Sequence, residues 1–255
     1  MVDAKKYLGQ HFLRNEEVCK AIAHGMKDYT IHDKLVEVGP GTGAITKYIT
    51  KLDSNMSVIE VDGESITYLR SEYPELEIID FNFLKLDLTK VNDGKPFGLF
   101  GNFPYFLSSQ ILTKIFENKE VISECVGMFQ KEVSEKVIAT PGNKNYGITA
   151  VLLQAFYEVE YLFTVDAKEF DPPPSVQSGV VRIIKKEDQL PDLNLSLFKQ
   201  VVKLGFNQRR KTLRNSLKSI LPDEVRQEEI FNKRPEQLFV PEFIEICEMI
   251  EKYKK

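Results

Sequence analysis

The chain has 255 residues, of which 42% are hydrophobic and 28% are charged, and its formal net charge is −4. This balance can fill a core of ordinary globular size and excludes disordered and collagen-like proteins. No stretch approaches the roughly 18 apolar residues that cross a bilayer, and the first residues form no apolar signal sequence. We therefore expect a cytoplasmic protein without a membrane span.

Three cysteines and three histidines are available for disulfide or metal chemistry. They are Cys19, Cys125, Cys247, His11, His24 and His32. The cysteines form no Cys-x-x-Cys pair, so the sequence predicts neither a disulfide framework nor a zinc ribbon. The histidines lack the spacing of metal ligands. We predict reduced thiols and no metal site.

Strand-like and helix-like segments alternate over the first two thirds of the chain. Predicted strands cover residues 34–38, 56–61, 76–80, 97–101 and 125–130, and predicted helices cover residues 16–27, 44–51, 64–72 and 108–118. Strands separated by helices indicate right-handed crossovers and a parallel sheet covered on both faces. Two later strands, at 157–165 and 178–184, are expected to add an antiparallel edge.

The composition changes after residue 184. Residues 185–193 are polar and include Pro191, which is typical of a linker. Beyond them every pattern is helical, at residues 197–206, 212–220, 223–231 and 242–253. We predict a doubly wound α/β domain over residues 1–184 and a small all-helical domain over residues 185–255.

A basic segment lies in the second predicted domain. Residues 196–221 contain seven Lys or Arg side chains and no Asp or Glu. The acidic net charge argues against nucleic-acid binding, but a local cluster of this kind can contact phosphates. A solvated basic helix face is the alternative, and the charge pattern alone leaves both open.

The first predicted strand runs into a glycine-rich turn that precedes a helix. The turn reads Gly39-Pro40-Gly41-Thr42-Gly43-Ala44. This arrangement is typical of nucleotide binding, because glycines permit a sharp turn and a close approach of the ligand. Glu60 ends the second strand, 21 residues after Gly39, and its carboxylate can accept hydrogen bonds from a ribose diol. The spacing fits the dinucleotide fingerprint of NAD enzymes and also resembles motif I of S-adenosylmethionine-dependent methyltransferases.

The fourth predicted strand ends in a turn that favours the methyltransferase. The turn reads Gly101-Asn102-Phe103-Pro104-Tyr105. Because the carboxyl ends of parallel strands face one crevice, we expect it beside the glycine loop and Glu60. An Asn-x-Pro-Tyr turn at this place resembles motif IV of methyltransferases that modify exocyclic amines of bases.

The residue types of this turn suit methylation of an adenine amine, which is a poor nucleophile. The Asn102 side-chain oxygen and the Phe103 carbonyl can accept its hydrogens and stabilise the positive charge that grows on the nitrogen. Pro104 stiffens the turn. Tyr105 offers a flat face on which a splayed-out base can stack.

Further motifs extend over nearly the whole chain. They are Gly9-Gln10-His11-Phe12-Leu13, Gln130-Lys131-Glu132-Val133, Pro141-Gly142 with Tyr146-Gly147, Phe170-Asp171-Pro172-Pro173-Pro174-Ser175-Val176-Gln177-Ser178, Phe206-Asn207-Gln208-Arg209-Arg210-Lys211-Thr212-Leu213 and Arg234-Pro235-Glu236. Together they resemble the ribosomal RNA adenine dimethyltransferases of the bacterial KsgA type. The resemblance implies that S-adenosylmethionine donates methyl groups to the 6-amino groups of two adjacent adenines near the 3′ end of small-subunit (16S) rRNA, in an immature 30S particle.

The resemblance also implies roles for individual residues. His11, Leu13, Gly39, Gly41, Glu60 and Asn82 would bind the cofactor, Asn102 would stand between the cofactor and the target amine, and Arg209, Arg210 and Lys211 would contact the rRNA backbone. We expect a monomer, since nothing in the sequence indicates otherwise.

Two positions depart from the family pattern. Asn82 stands where the family has Asp, so the acceptor expected for the cofactor's adenine amine keeps its carbonyl but loses its charge. Phe106 stands where the family often has Asn, in the wall of the target pocket. These departures motivate an alternative, a ribosome-assembly binding protein on the same fold with little or no activity.

Overall fold

The computed structural model describes residues 2–52, 55–187 and 193–253. The chain groups into two compact units, Met1–Glu135 with Val159–Lys185, and Lys136–Glu158 with Lys186–Lys255. The predicted domains, 1–184 and 185–255, differ from this grouping in residues 136–158 and in residue 185. Most of the predicted linker, residues 188–192, lies outside the described residues.

The described residues form nine strands. They are β1 (Phe12–Leu13), β2 (Leu35–Val38), β3 (Met56–Glu60), β4 (Glu77–Asp80), β5 (Phe97–Asn102), β6 (Ile122–Gln130), β7 (Tyr157–Val165), β8 (Phe170–Asp171) and β9 (Ser178–Lys185). Seven of them build one sheet in the order β4-β3-β2-β5-β6-β9-β7, while β1 and β8 form an antiparallel ribbon.

The sheet is mostly parallel, as the sequence predicts. Parallel pairs join β2 to β3 and β5, β3 to β4, and β5 to β6, and β9 is antiparallel to β6. The order of the strands reverses between β2 and β5, and doubly wound sheets bind their ligands at such a point. The predicted α/β fold is therefore confirmed.

Burial explains why the central strands are recognisable in the sequence. Every residue of β2 and β3 is buried, as are most residues of β6. A parallel strand covered on both faces has no polar face to display, so it reads as a continuous apolar run. At the edge, β4 is exposed or half-buried throughout.

The described residues form nine α-helices. They are α1 (Glu16–Ala23), α2 (Thr46–Ile49), α3 (Gly63–Glu72), α4 (Ser108–Glu117), α5 (Lys131–Val137), α6 (Ile148–Phe156), α7 (Leu195–Asn207), α8 (Leu213–Ser216) and α9 (Val240–Tyr253). Side-chain caps fix the start of two of them. Asn15 accepts hydrogen bonds from Glu17 N and Val18 N before α1, and Asn194 accepts one from Leu197 N before α7.

The second unit is helical and has its own aromatic core. Phe156 packs edge-on against Phe198, with ring centroids 6.5 Å apart, and Phe206 stacks on Phe243 at 6.0 Å. The buried Tyr146 hydroxyl donates a hydrogen bond of 2.9 Å to the Leu238 carbonyl. The ring contacts join α6, α7 and α9.

The helical prediction differs from the structure in several places: α5 was not predicted, and the helix predicted at 212–220 is observed only as α8 (Leu213–Ser216). The helix predicted at 223–231 is wrong, because this segment forms turns and ends in the 3-10 helix Glu229–Asn232. Its buried side chains, Val225 and Phe231, are six positions apart, which does not match one helix face. Helix α6 was not predicted, because it is buried on nearly all sides and so lacks an amphipathic period.

Within the described ranges, every helix falls short of the length and apolar character that a bilayer crossing needs.

Candidate active site

A cavity of about 560 Å³ opens at the carboxyl ends of the parallel strands, beside the β2/β5 switch point. Its walls are residues 8–13, 37–42, 44–45, 59–61, 81–85, 102–107 and 110–111. The volume lies in the usual range for small-molecule sites. Every cofactor-binding and catalytic residue predicted from the sequence lines this one cavity: His11, Leu13, Gly39, Gly41, Glu60, Asn82, Asn102, Phe103, Pro104 and Tyr105.

The glycine loop follows β2, and its backbone adopts a conformation that residues with a side chain rarely adopt. Gly39 and Gly41 have φ angles of +67° and +56°, in the left-handed region that favours glycine. A Cβ atom built on Gly39 would meet nothing within 4 Å, so this backbone borders open space. A Cβ on Gly41 would come within 2.8 Å of the Phe12 ring, so the missing side chain lets Phe12 pack on the loop.

The Glu60 carboxylate is fixed at the end of β3 by three backbone N–H groups. Its Oε1 accepts hydrogen bonds from Val61 N at 2.7 Å and Asp62 N at 3.0 Å, and its Oε2 accepts one from Gly41 N at 3.1 Å. A carboxylate has about four acceptor sites. The group is therefore held rigidly and keeps acceptor capacity for a ligand hydroxyl.

Asn102 is oriented by the backbone of the N-terminal segment. Its Nδ2 donates a hydrogen bond of 3.0 Å to the His11 carbonyl. Because the amide nitrogen is committed to this bond, the side-chain oxygen remains as the acceptor that the group can offer. The next residue, Phe103, anchors the turn to the sheet through a bond from its N to Met128 O and through stacking on Phe129 at 5.0 Å.

Tyr105 is held at both ends of its side chain. Its hydroxyl shares a short hydrogen bond with Ser178 Oγ, and its ring stacks on that of His11, with centroids 5.7 Å apart and an interplanar angle of 25°. His11 Nδ1 in turn donates to the Pro172 carbonyl at 2.7 Å. Burial raises the pKa of the Tyr105 hydroxyl, so the phenol stays protonated at neutral pH.

These supports were not predicted from the sequence. Ser178 is 73 residues from Tyr105, and Pro172 is 161 residues from His11. Both lie in the block of residues 170–178 that carries part of the family resemblance, and this was the only signal available.

Comparisons with known proteins identify the family. The model of the ribosomal RNA adenine dimethylase family matches residues 1–251. The chain belongs to this family.

Two relatives carry the name ribosomal RNA small subunit methyltransferase A. The protein of Bacteroides thetaiotaomicron is 50% identical over 259 residues, covering 100% of this chain and 97% of the relative. The protein of Flavobacterium johnsoniae is also 50% identical, covering 98% of this chain and 97% of the relative. The predicted resemblance is thus confirmed.

Two solved structures share the fold. A dimethyladenosine transferase from Plasmodium falciparum matches with a TM-score of 0.83 and 23% identity, covering 95% of this chain and 98% of its own. The 23S rRNA methyltransferase ErmE matches with a TM-score of 0.69 and 22% identity, covering 93% of this chain and 99% of its own.

As a ribosomal RNA adenine dimethylase, the chain is an RNA methyltransferase whose methyl donor is S-adenosylmethionine. Family membership rejects the NAD-dependent oxidoreductase that the glycine loop alone left open. It also does not favour the non-catalytic alternative.

Glu37 is a cavity residue of the dimethylase to which the sequence assigned no role. It is buried in β2, and its Oε2 accepts a hydrogen bond of 2.6 Å from Thr46 Oγ1. Burial, with a smaller contribution from the charge of Glu60, raises the pKa of Glu37 to about 8. The side chain is therefore mostly a neutral acid at pH 7. In the sequence, the only signal for a role of Glu37 was the presence of a carboxylate in an otherwise apolar strand.

Asn82 lies in the cavity wall, as predicted for the dimethylase, but its oxygen is already in use. Oδ1 accepts a hydrogen bond of 2.9 Å from Leu84 N in a turn of the Asx type. An amide oxygen has two lone pairs, so one acceptor site remains for a ligand amine.

The three basic residues predicted to contact RNA are not equivalent. Arg209 is partly buried and donates to the carbonyls of Lys144 at 2.9 Å and Asn143 at 3.3 Å. Arg210 and Lys211 are exposed, and no carboxylate among the described residues forms an ion pair with them. Of the three residues, Arg210 and Lys211 can therefore contact phosphates with the whole charged group, whereas the Arg209 guanidinium already binds two carbonyls.

In the part of the chain that the structure describes, no three His, Cys, Asp or Glu side chains are grouped as metal ligands. All three cysteines are buried thiols outside any disulfide.

Proposed function

We propose that this dimethylase transfers methyl groups from S-adenosylmethionine to the 6-amino groups of two adjacent adenines near the 3′ end of small-subunit (16S) rRNA. The names of the relatives support the choice of the small subunit. One observation carries the proposal: Asn102, with its amide nitrogen bound to the His11 carbonyl, lines the same cavity as the glycine loop and Glu60.

The residues of the cavity fit the cofactor. S-adenosylmethionine supplies an electrophilic methyl group on a sulfonium sulfur. Gly39 borders open space into which no Cβ projects, so its backbone can lie against the cofactor. Glu60 would accept a hydrogen bond from a ribose hydroxyl, Asn82 would accept one from the adenine amine, and His11 and Leu13 line the remaining wall.

The turn after β5 activates the target amine. The Asn102 oxygen and the Phe103 carbonyl accept the two amino hydrogens of the adenine, which localises the lone pair on nitrogen. The Asn102 amide is fixed before the reaction by its bond to His11, and the main chain at Phe103 is anchored by the bond from its N–H to Met128 O. They therefore stabilise the positive charge that develops as the methyl group arrives without having to reorganise.

A base stacked on Tyr105 needs no strong general base beside it. The ring is fixed by His11 and Ser178 and can support a purine taken out of its stack. The methylated nitrogen is cationic and acidic, so its proton passes to water.

The partner is the immature 30S particle, which the chain meets as a monomer in the cytoplasm. Arg210 and Lys211 contact rRNA phosphates, since both are exposed and lack a carboxylate partner among the described residues. Phosphate contacts of this kind position a protein on RNA and contribute salt-dependent affinity.

The test is to incubate the protein with methyl-labelled S-adenosylmethionine and 30S particles that lack this modification. The rRNA is then digested to nucleosides, and the modified positions are mapped. We expect label in dimethyladenosine at two adjacent positions near the 3′ end. Asn102→Ala is the matched control and should transfer little label.

Two results would contradict the proposal. Label in another nucleoside would reject the adenine amine as the acceptor. Stable binding to the particle without any transfer would favour the ribosome-assembly alternative.

A further inference from the structure

Phe106 exposes a large aromatic ring at the wall of the active-site cavity. The residue is 63% exposed, although the preceding turn residues Phe103 and Tyr105 are buried and half-buried. Phe106 still lines the cavity, together with Pro104 and Leu107. An exposed aromatic ring beside a ligand site presents apolar surface that water covers poorly.

The ring has a defined position. It follows Tyr105 in the short 3-10 helix Tyr105–Leu107 and lies against the backbone of Gly9 in the N-terminal segment. Gly9 has a φ angle of +65°, and a Cβ built on it would come within 2.8 Å of the Phe106 ring. Glycine at this position thus lets the ring rest against the main chain, and most of the ring surface stays accessible.

The base next to the target adenine is a second group that the protein has to accommodate. If one adenine enters the cavity, its neighbour in the RNA strand remains outside the pocket and has lost its stacking partner. Single-stranded bases stack on accessible aromatic side chains, largely without regard to sequence.

We propose that Phe106 is the stacking site for the unpaired purine next to the target adenine. This inference rests on the proposed function and adds to it a second base-binding site, on the exposed part of the cavity wall. Phe106 acts on RNA binding and placement, whereas Asn102 and Phe103 act on the reacting amine.

The test compares two RNA probes and three variants. The first probe is a short single-stranded RNA with two adjacent adenines, one of which is the target. In the second probe, abasic nucleotides replace the neighbours of the target adenine on both sides. The variants are Phe106→Ala, Phe106→Trp as the rescue, and Ile31→Ala as the control. Ile31 is an apolar residue of the same unit, 69% exposed and outside the cavity wall.

Binding is measured with S-adenosylhomocysteine present. We expect the abasic change to weaken the wild-type complex about five- to tenfold, near the lower end of measured base–aromatic stacking effects. The same change should alter the Phe106→Ala complex less than about twofold, while Phe106→Trp and Ile31→Ala behave like the wild type. In methylation of 30S particles, Phe106→Ala should raise KM and leave kcat nearly unchanged.

Equal sensitivity of wild type and Phe106→Ala to the abasic nucleotide would overturn the proposal. So would a wild-type affinity that does not respond to it, or an unchanged KM for the variant. An altered affinity for S-adenosylhomocysteine would assign Phe106 to the cofactor pocket and also overturn it. The proposed function fails separately, if wild-type protein forms no dimethyladenosine in 30S particles.

Discussion

At the scale of single residues, the site depends on groups whose chemical state is set by a neighbour. Asn102 can serve as an acceptor because its nitrogen is bound to the His11 carbonyl. Glu37 is largely neutral because it is buried close to a second carboxylate. Neither state can be derived from the residue type alone.

Replacement of Asn102 should separate catalysis from cofactor binding. We expect Asn102→Ala to lower kcat by about 100-fold or more, the usual effect of removing one preorganised polar group from a transition state. The affinity for S-adenosylhomocysteine, measured by calorimetry, should change less than about threefold. A comparable loss in both measurements would show that the side chain holds the cofactor instead.

Glu37 should make the stability of the protein depend on pH. Its pKa is raised from 4.5 to about 8 in the folded state, so the folded state keeps a proton that the unfolded state has released in this interval. Stability should therefore fall by about 1.4 kcal/mol per pH unit as the pH rises from 4.5 towards 8.

Glu37→Gln keeps the acceptor for Thr46 but cannot titrate. Urea unfolding of both proteins at pH 6 and pH 7.5 should show a stability difference that moves in favour of the variant at the higher pH. Parallel stability curves for the two proteins would contradict the raised pKa.

At the scale of structural elements, the N-terminal segment forms one wall of the cavity and is tied to α3. Lys5 pairs with Asp62 and with Glu64 at 3.2 Å, and its backbone N donates to Gln10 Oε1 at 2.8 Å. Asp62 is buried and also accepts a hydrogen bond of 2.8 Å from Ser65 Oγ. The segment that carries His11 and Leu13 is therefore held at its start.

Loss of the Asp62 charge should loosen this segment and weaken cofactor binding. Hydrogen bonds to charged groups contribute about 1.5–3 kcal/mol. Because Asp62 does not line the cavity itself and only part of this loss reaches it, Asp62→Asn should raise the Kd for S-adenosylhomocysteine about three- to tenfold. Amide exchange of residues 5–13 should accelerate. Glu64→Gln is the control, because its exposed ion pair with Lys5 contributes little. Equal effects of the two variants would count against the tether.

The segment between α7 and α8 should contact RNA through only two of its three basic residues. Charge reversal at Arg210 and Lys211 should weaken 30S binding and reduce the salt slope of the association constant by roughly one for each phosphate that is no longer neutralised. Arg209→Lys should instead lower the thermal stability, because the single nitrogen of lysine lacks the planar fork with which the two guanidinium nitrogens reach both carbonyls. An unchanged salt slope after the double reversal would refute the assignment.

At the scale of the whole molecule, the sequence predicted the sheet better than the helices. Buried parallel strands are unbroken apolar runs, and all five predicted parallel strands are present. The helices were harder to predict from the sequence. Helix α6 is apolar on nearly all sides, and residues 223–231 form turns that bury isolated side chains.

The candidate site was predictable where it depends on the ends of strands. Four site residues lie at or just after the ends of neighbouring parallel strands, and topology alone brings them to one edge of the sheet: Gly39, Glu60, Asn82 and Asn102. The bonds from Tyr105 to Ser178 and from His11 to Pro172 depend on long-range packing. No local pattern encodes such contacts.

The position of β9 has a consequence for how the sheet is completed during synthesis. β9 is the last of the described strands along the chain, yet it lies between β6 and β7. Until residue 185 has been made, the seven β6 residues that pair with β9 keep an unpaired edge, and such edges recruit strands from other chains. We expect a fragment ending at residue 177 to aggregate, as light scattering would detect, so premature termination yields no smaller soluble enzyme.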